Sequence, residues 1–210
     1  MLNLRQPQYG FSMIELLVTL SIIGILMAIG APALNIWIQN GKIRTAADSI
    51  QNGLQLARSE AVHLNTAASF QLTTSLDSSC AFSTSGTNWV VSLDTPTGAC
   101  NGARLNSAFP VDDAVNNPTP RIIQTKSGAE GAGSTIASSE SGASAAVYTG
   151  QITFTGLGRV NPASIALGNN VQINISGASG GTPLRVVVTS AGLIRMCDPA
   201  FTLASNPKGC

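Results

Sequence analysis

The fold is decided by two adjoining stretches, Gly10–Ile38, GFSMIELLVTLSIIGILMAIGAPALNIWI, and Gln39–Leu64, QNGKIRTAADSIQNGLQLARSEAVHL. The first holds a single charge, Glu15. From Leu16 to Ile38 there are 23 residues without a charge, which as a helix reach about 34 Å and suffice for a hydrocarbon core of about 30 Å. A carboxylate inside a membrane helix is costly, less so near its start, where the macrodipole favours an anion. One reading is that Glu15 simply reaches the headgroups. The other is that it awaits a positive partner in an assembly.

The leader before this run, MLNLRQPQYG, is short and polar, and no small-residue cleavage site follows the apolar stretch. That order is the reverse of a secretory signal, so the apolar segment is expected to be retained. Flanking charges do not settle its orientation, with Arg5 on one side and Lys42 and Arg44 on the other. Pro32 removes one backbone hydrogen bond and is expected to break or kink the helix. Gly24 and Ala28 form a small-xxx-small pair that lets another helix approach. In the second stretch Ile43, Ala46, Ala47, Ile50, Leu54, Ala57, Ala61 and Leu64 recur at three- and four-residue steps, which predicts an amphipathic helix packed on a globular domain and ending at Asn65-Thr66. Gly53 reads as a weak spot of about 1 kcal/mol relative to Ala. Arg58 and Glu60 read as a solvated helix face.

Gly10-Phe11-Ser12-Met13-Ile14-Glu15-Leu16-Leu17 resembles the class III signal of type IV prepilins and type II secretion pseudopilins. The resemblance implies cleavage by a prepilin peptidase between Gly10 and Phe11 and N-methylation of Phe11. It also implies that Glu15 pairs with a neighbouring subunit's N-terminal amine during assembly, and it matches Pro32 to the family's helix-breaking proline. Leu54–Val62, LQLARSEAV, is similar to the GspH/FimT family of minor pilins and pseudopilins, as distinct from major pilins. The implied fold class is α+β, a long N-terminal helix packed on an antiparallel β-rich domain. The division expected is leader 1–10, assembly helix half 11–38, amphipathic half 39–65 and periplasmic β-rich domain 66–210. Implied partners are the prepilin peptidase, other minor pilins or pseudopilins, the major pilin and the inner membrane. Implied location is the inner membrane with a periplasmic C-terminal domain, then the filament.

Beyond Asn65, short β-branched runs alternate with turn residues. Strands are expected at Ala67–Leu72, Trp89–Leu93, Arg121–Gln124, Gln151–Phe154, Val171–Ile175, Leu184–Thr189 and Leu193–Met196. Ser127–Ala146, rich in Gly, Ser and Ala, reads as a mobile surface loop. The cysteines are Cys80, Cys100, Cys197 and Cys210, with no CxxC spacing and a single histidine, His63. Behind a membrane-targeting segment an even number reads as disulfides. Of three possible pairings, Cys80–Cys100 and Cys197–Cys210 are favoured because each closes a short loop, with about 3 kcal/mol of stabilisation apiece. Four buried free thiols are the alternative.

Only 10% of residues are charged, as in many extracytoplasmic domains with uncharged polar surfaces. Residues 39–146 carry six Lys/Arg and eight Asp/Glu, whereas 147–210 carry four cations and one anion. No catalytic constellation, GxSxG elbow, dinucleotide fingerprint, metal spacing or cofactor motif stands out. The reading is therefore a structural subunit rather than an enzyme, with a membrane-anchored periplasmic enzyme as a remote alternative. It would help initiate and cap a type IV pilus or a type II secretion pseudopilus. The competing reading is duplex DNA binding for natural transformation. Some FimT-type pilins carry a GRxR motif, and Gly192-Leu193-Ile194-Arg195 resembles it with Leu193 in place of the first arginine. Arg159, Arg185 and Arg195 are the candidate contacts, expected to give salt-sensitive phosphate binding.

Overall fold

The computed structural model describes residues 10–131, 134–141, 149–165, 167–178 and 180–210, with the side chains of 29–33, 130, 135, 140 and 141 outside the description. The leader ahead of Gly10 lies outside the described residues. The chain divides into two compact units, Met1–Ile38 and Gln39–Cys210. Helix α1, Met13–His63, contributes 51 residues. Its assignment continues through Pro32, where the sequence predicts a break. A proline costs one backbone N–H, and the turns on either side keep theirs.

In the second unit α1 lays down the stripe its periodicity predicts. Ile43, Ala46, Ala47, Ile50, Leu54, Ala57 and Ala61 are all buried. The helix ends in a Schellman arrangement with Asn65 at φ 48°. The Asn65 N–H donates to the Val62 carbonyl and the Thr66 N–H to the Ala61 carbonyl, 3.3 and 3.1 Å. Asparagine tolerates this left-handed conformation better than other residues with a side chain, which is why the helix stops here.

The strands follow as β1 (Ala68–Thr73), β2 (Asn88–Ser92), β3 (Ile122–Lys126), β4 (Ser134–Ser141), β5 (Gln151–Phe154), β6 (Asn170–Gly177), β7 (Leu184–Thr189) and β8 (Ile194–Cys197). They form two four-stranded sheets, in the orders β3-β2-β1-β5 and β4-β6-β7-β8, antiparallel throughout. In β6, Val171, Ile173 and Ile175 alternate inward, the pattern of a half-buried strand. Strand β1 is buried along its whole length. Phe70 and Leu72 join the α1 stripe, Trp89 and the inward residues of both sheets in one core. On the other side of the first sheet, Val90 and Ile122 pack with the cystine of Cys80 and Cys100.

The stretch Ser127–Ala146, read above as a loop, is corrected in its first part. It contains a short 3-10 turn, Gly128–Gly131, and strand β4, paired with β6 over eight residues. Ser and Thr suit an extended strand once a partner supplies the ladder, and Ile136 is the one large apolar anchor, buried against the core. Residues 142–148 of and beyond this stretch lie outside the described residues.

The outer strands are each met by the chain's own loops. Beside β3 the Leu105 N–H donates to the Ile122 carbonyl, and Arg104 donates to Thr125 Oγ1 at 2.8 Å. Beside β4 both the N–H and hydroxyl of Ser138 donate to the Thr84 carbonyl, at 2.9 and 2.7 Å. Phe154 of β5 bridges to Val160, and Asp198, just past β8, to Gly209.

Candidate functional site

The first unit begins with Gly10, Phe11 and Ser12 ahead of the helix. Ser12 caps it: its hydroxyl accepts a bond from the Glu15 N–H at 3.2 Å, and the Leu16 N–H donates to the Ser12 carbonyl at 3.2 Å. Ser12 and Glu15 thus hold the first and fourth places of an S-x-x-E capping box. That signal stands in the sequence and was not read from it. It places Glu15 in the first turn, among backbone N–H groups that favour an anion. Phe11, Met13, Ile14, Leu16, Leu17 and Val18 are all exposed, and so are the described apolar residues on to Ile38. A helix apolar on every side has no stable state facing water. Among the described residues no helix is long and apolar enough to cross a membrane. The side chains of 29–33, inside the apolar run, lie outside that statement.

In the second unit Arg58 is exposed on α1, as the sequence reading has it, and also makes a contact that the sequence does not show. Its Nε donates to the Gly158 carbonyl at 3.0 Å, tying α1 to the turn between β5 and Val160. That turn meets the β7–β8 turn. The Val160 N–H donates to the Ser190 carbonyl at 3.3 Å. Gly192, at φ 88°, lies where a Cβ would strike the Gly158 carbonyl oxygen. Glu60 faces His63 at 3.7 Å, one helical turn away.

The structure pairs Cys80 with Cys100 and Cys197 with Cys210, and leaves no free cysteine. The second bond closes a loop that Arg195 also holds. Its guanidinium donates to the main-chain oxygens of Gly209 and Cys210 at 3.4 and 3.0 Å. Arg185 donates through Nε to Asn174 Oδ1 at 2.7 Å. Val187 pairs with Arg195 across β7 and β8, so Arg185 and Arg195 share one face of the second sheet, Arg185 being two residues from Val187 on the same strand. Arg159 is exposed in its turn, and its Cα lies 3.4 Å from where a Cβ on Gly192 would stand, three residues before Arg195.

Asp94 and Arg121 form the tightest ion pair among the described residues, 2.7 Å between Oδ1 and Nη2, with Asp94 Oδ2 accepting from both Nε and the backbone N–H of Arg121. These bonds hold the Asp94 carboxyl below its ordinary range. The residues joined are the loop after β2 and the entry to β3. A polar groove of about 430 Å³ lies between α1 and the first sheet, lined by Asp48, Ser49, Asn52, Trp89, Gln124 and Lys126. Its floor is fixed by the Trp89 indole donating to Ser49 Oγ at 3.0 Å. Among the described residues no group of three or more His, Cys, Asp or Glu could hold a metal ion.

Residues 5–31 match the family described as the prokaryotic N-terminal methylation motif, and residues 46–192 the family described as type II transport protein GspH. Among solved structures, the type IV minor pilin FimU of Pseudomonas aeruginosa strain PAO1 is 21% identical, covering 78% of this chain and 93% of its own, at a TM-score of 0.44. The minor pseudopilin EpsH from the type 2 secretion system of Vibrio cholerae is 11% identical, covering 76% of this chain and 99% of its own, at a TM-score of 0.41. None of the curated proteins matches the chain in sequence.

Proposed function

Because the chain belongs to the GspH family of minor pilins and pseudopilins, we propose that it is a structural subunit that helps initiate and cap a type IV pilus or a type II secretion pseudopilus. The observation that carries the reading is the joining of two parts. An N-terminal methylation motif sits on a helix with apolar side chains on every face, and a GspH-type domain follows that holds its own core. In this reading the prepilin peptidase cuts between Gly10 and Phe11 and Phe11 is N-methylated. The segment 11–38 is stored in the inner membrane and then enters the filament, with 66–210 in the periplasm. The anchor rests on the uncharged run Leu16–Ile38.

Glu15 is the assembly residue. Alone in a bilayer its carboxylate is unfavourable, and a neighbouring subunit's amine would satisfy it. Pro32 and its neighbours supply local freedom for the transfer. Partners are other minor pilins or pseudopilins and the major pilin.

Two measurements test this. Mass spectrometry of the membrane-extracted protein should show a chain beginning at methylated Phe11. An unprocessed N-terminus in cells that contain the peptidase would overturn the processing. Residues 39–210, used as bait, should capture other minor pilins or pseudopilins from the same cell. Type IV partners assign it to a pilus, and pseudopilins to secretion. Capture of neither would overturn the subunit role.

Duplex DNA binding stands as a second reading because of Arg159, whose guanidinium has no partner among the described residues. Arg185 and Arg195 would join it with the guanidinium N–H groups that their bonds to Asn174, Gly209 and Cys210 leave unused. Titration of residues 39–210 with duplex DNA at low and high salt tests it. Salt-dependent binding lost in Arg159→Gln supports it, and binding absent at low salt overturns it.

A further inference from the structure

Three turns of the second unit are laced together near the end of α1, and each carries one exposed leucine. Leu157 is 84% exposed, in the turn closed by the Gly158 N–H donating to the Thr155 carbonyl. Leu193 is 56% exposed, after the turn closed by the Gly192 N–H and the Thr189 carbonyl. Leu167 is 68% exposed and precedes Gly168, whose N–H donates to Ser190 Oγ at 3.3 Å. Val62, in the last turn of α1, is 51% exposed and lies against Gly158. Single exposed leucines need no explanation, whereas four apolar side chains on elements bonded to one another do.

The surrounding charge is cationic. The cations at these turns are Arg159 and Arg58, whereas Arg185 and Lys208 lie at the Asp198 end of β7 and β8 and Arg195 is bonded to the C-terminal loop. Asp198 follows β8 at its far end from the Ser190–Gly192 turn. Arg159 sits beside Leu157 in sequence and is exposed, and Arg58 stands beneath the same turn. Glu60 is the one nearby acid in α1, and it faces His63.

We propose that this end of the unit is a docking surface for an anionic lipid bilayer. Leu157, Leu167, Leu193 and Val62 would enter the headgroup–acyl boundary, and Arg159 would meet the phosphates. Apolar side chains at turn tips, with cations beside them, fit a deformable amphipathic surface. A protein partner would have to offer a recess for each tip. The proposal does not depend on which filament hosts the chain.

The test uses residues 39–210, which keep the whole core, both sheets and both disulfides and lack the apolar segment that would insert by itself. Vesicles of phosphatidylcholine alone, or mixed with phosphatidylglycerol, are sedimented with the protein. Binding to the mixed vesicles is expected, with a fall of at least about tenfold in Leu157→Ser/Leu193→Ser, since each loses buried CH₂ groups. Arg159→Gln should weaken binding to the anionic vesicles only. Thermal melts matching the parent show that the variants fold, and Leu167→Ser serves as a further variant if the double one does not. The proposal is overturned if neither vesicle binds, or if the folded leucine variants bind unchanged. It is equally overturned if the leucines prove necessary for capturing another pilin-type domain while vesicles are ignored.

Discussion

At Gly53 two physical expectations of opposite sign meet. Helix propensity says that alanine should stabilise by about 1 kcal/mol. Packing says the reverse, because a Cβ there would lie 2.8 Å from Phe70 Cε2 and 3.1 Å from the Trp89 ring. Those two rings, with centroids 5.8 Å apart, sit on the helix where a side chain is missing. We expect Gly53→Ala to lose about 1–3 kcal/mol in urea unfolding, the range of overpacked cores. A gain in stability would mean that the rings can yield. Asp94 gives a second prediction at this scale. Its carboxyl, bonded by Arg121, is held below the ordinary 3.8. A depressed folded value contributes stability above the unfolded pKa that is lost as pH falls through the folded one. The urea midpoint should therefore drop below about pH 4 more steeply in the parent than in Asp94→Asn. Asp77 and Asp113, also lowered, are common to both proteins and cancel in the difference. Equal slopes would show that the pair does not matter.

Among the elements, α1 and the turns it holds are the parts most open to test. Arg58→Ala removes the bond to the Gly158 carbonyl and should cost about 0.5–1.5 kcal/mol. It should also speed amide exchange in the turns around Leu157 and Gly192. Unchanged exchange there would mean that Gly192 and Ser190 hold the turns without it. Cys210→Ser opens the loop after β8 and should cost about 3 kcal/mol on the loop-entropy view, with proteolysis appearing between Asp198 and Cys210. An uncut loop would show that Arg195 and the Asp198–Gly209 bridge suffice. What the sequence reveals at this scale follows from bulk. The α1 stripe was legible because its apolar residues recur at helical spacing, and seven strands because β-branched residues cluster between turns. Strand β4 was not, since Ser, Thr, Ala and Glu around a lone Ile136 make no apolar alternation and its order comes from β6. The bond of Arg58 was hidden for a related reason: its acceptor is a carbonyl 100 residues away, and a backbone oxygen leaves no mark in the sequence.

For the molecule as a whole, the division at Ile38 and Gln39 separates two kinds of stability. Every residue of the main core lies between Ile43 and Val188, so residues 39–210 should unfold in one cooperative urea transition without the segment before them. Two separated transitions, or none, would show that the unit borrows stability from that segment. The apolar half offers the opposite case, with its described apolar side chains exposed and none of the described residues of its own unit covering them. The family was legible in Gly10–Leu17 and Leu54–Val62 because each is a continuous local stretch, inside residues 5–31 and 46–192 that the family models match. The surface around Leu157 and Leu193 was not, because it exists only when three distant turns meet.

The covered strand edges have a further consequence. Subunits waiting side by side at high local density are at risk of zipping together through open β-edges, a route that is hard to reverse. Here Arg104 and Leu105 meet β3, Thr84 meets β4 at Ser138, Val160 meets β5, and Gly209 meets the chain just past β8. Side-to-side contact between such domains is thereby steered toward side chains and helices, which can part again.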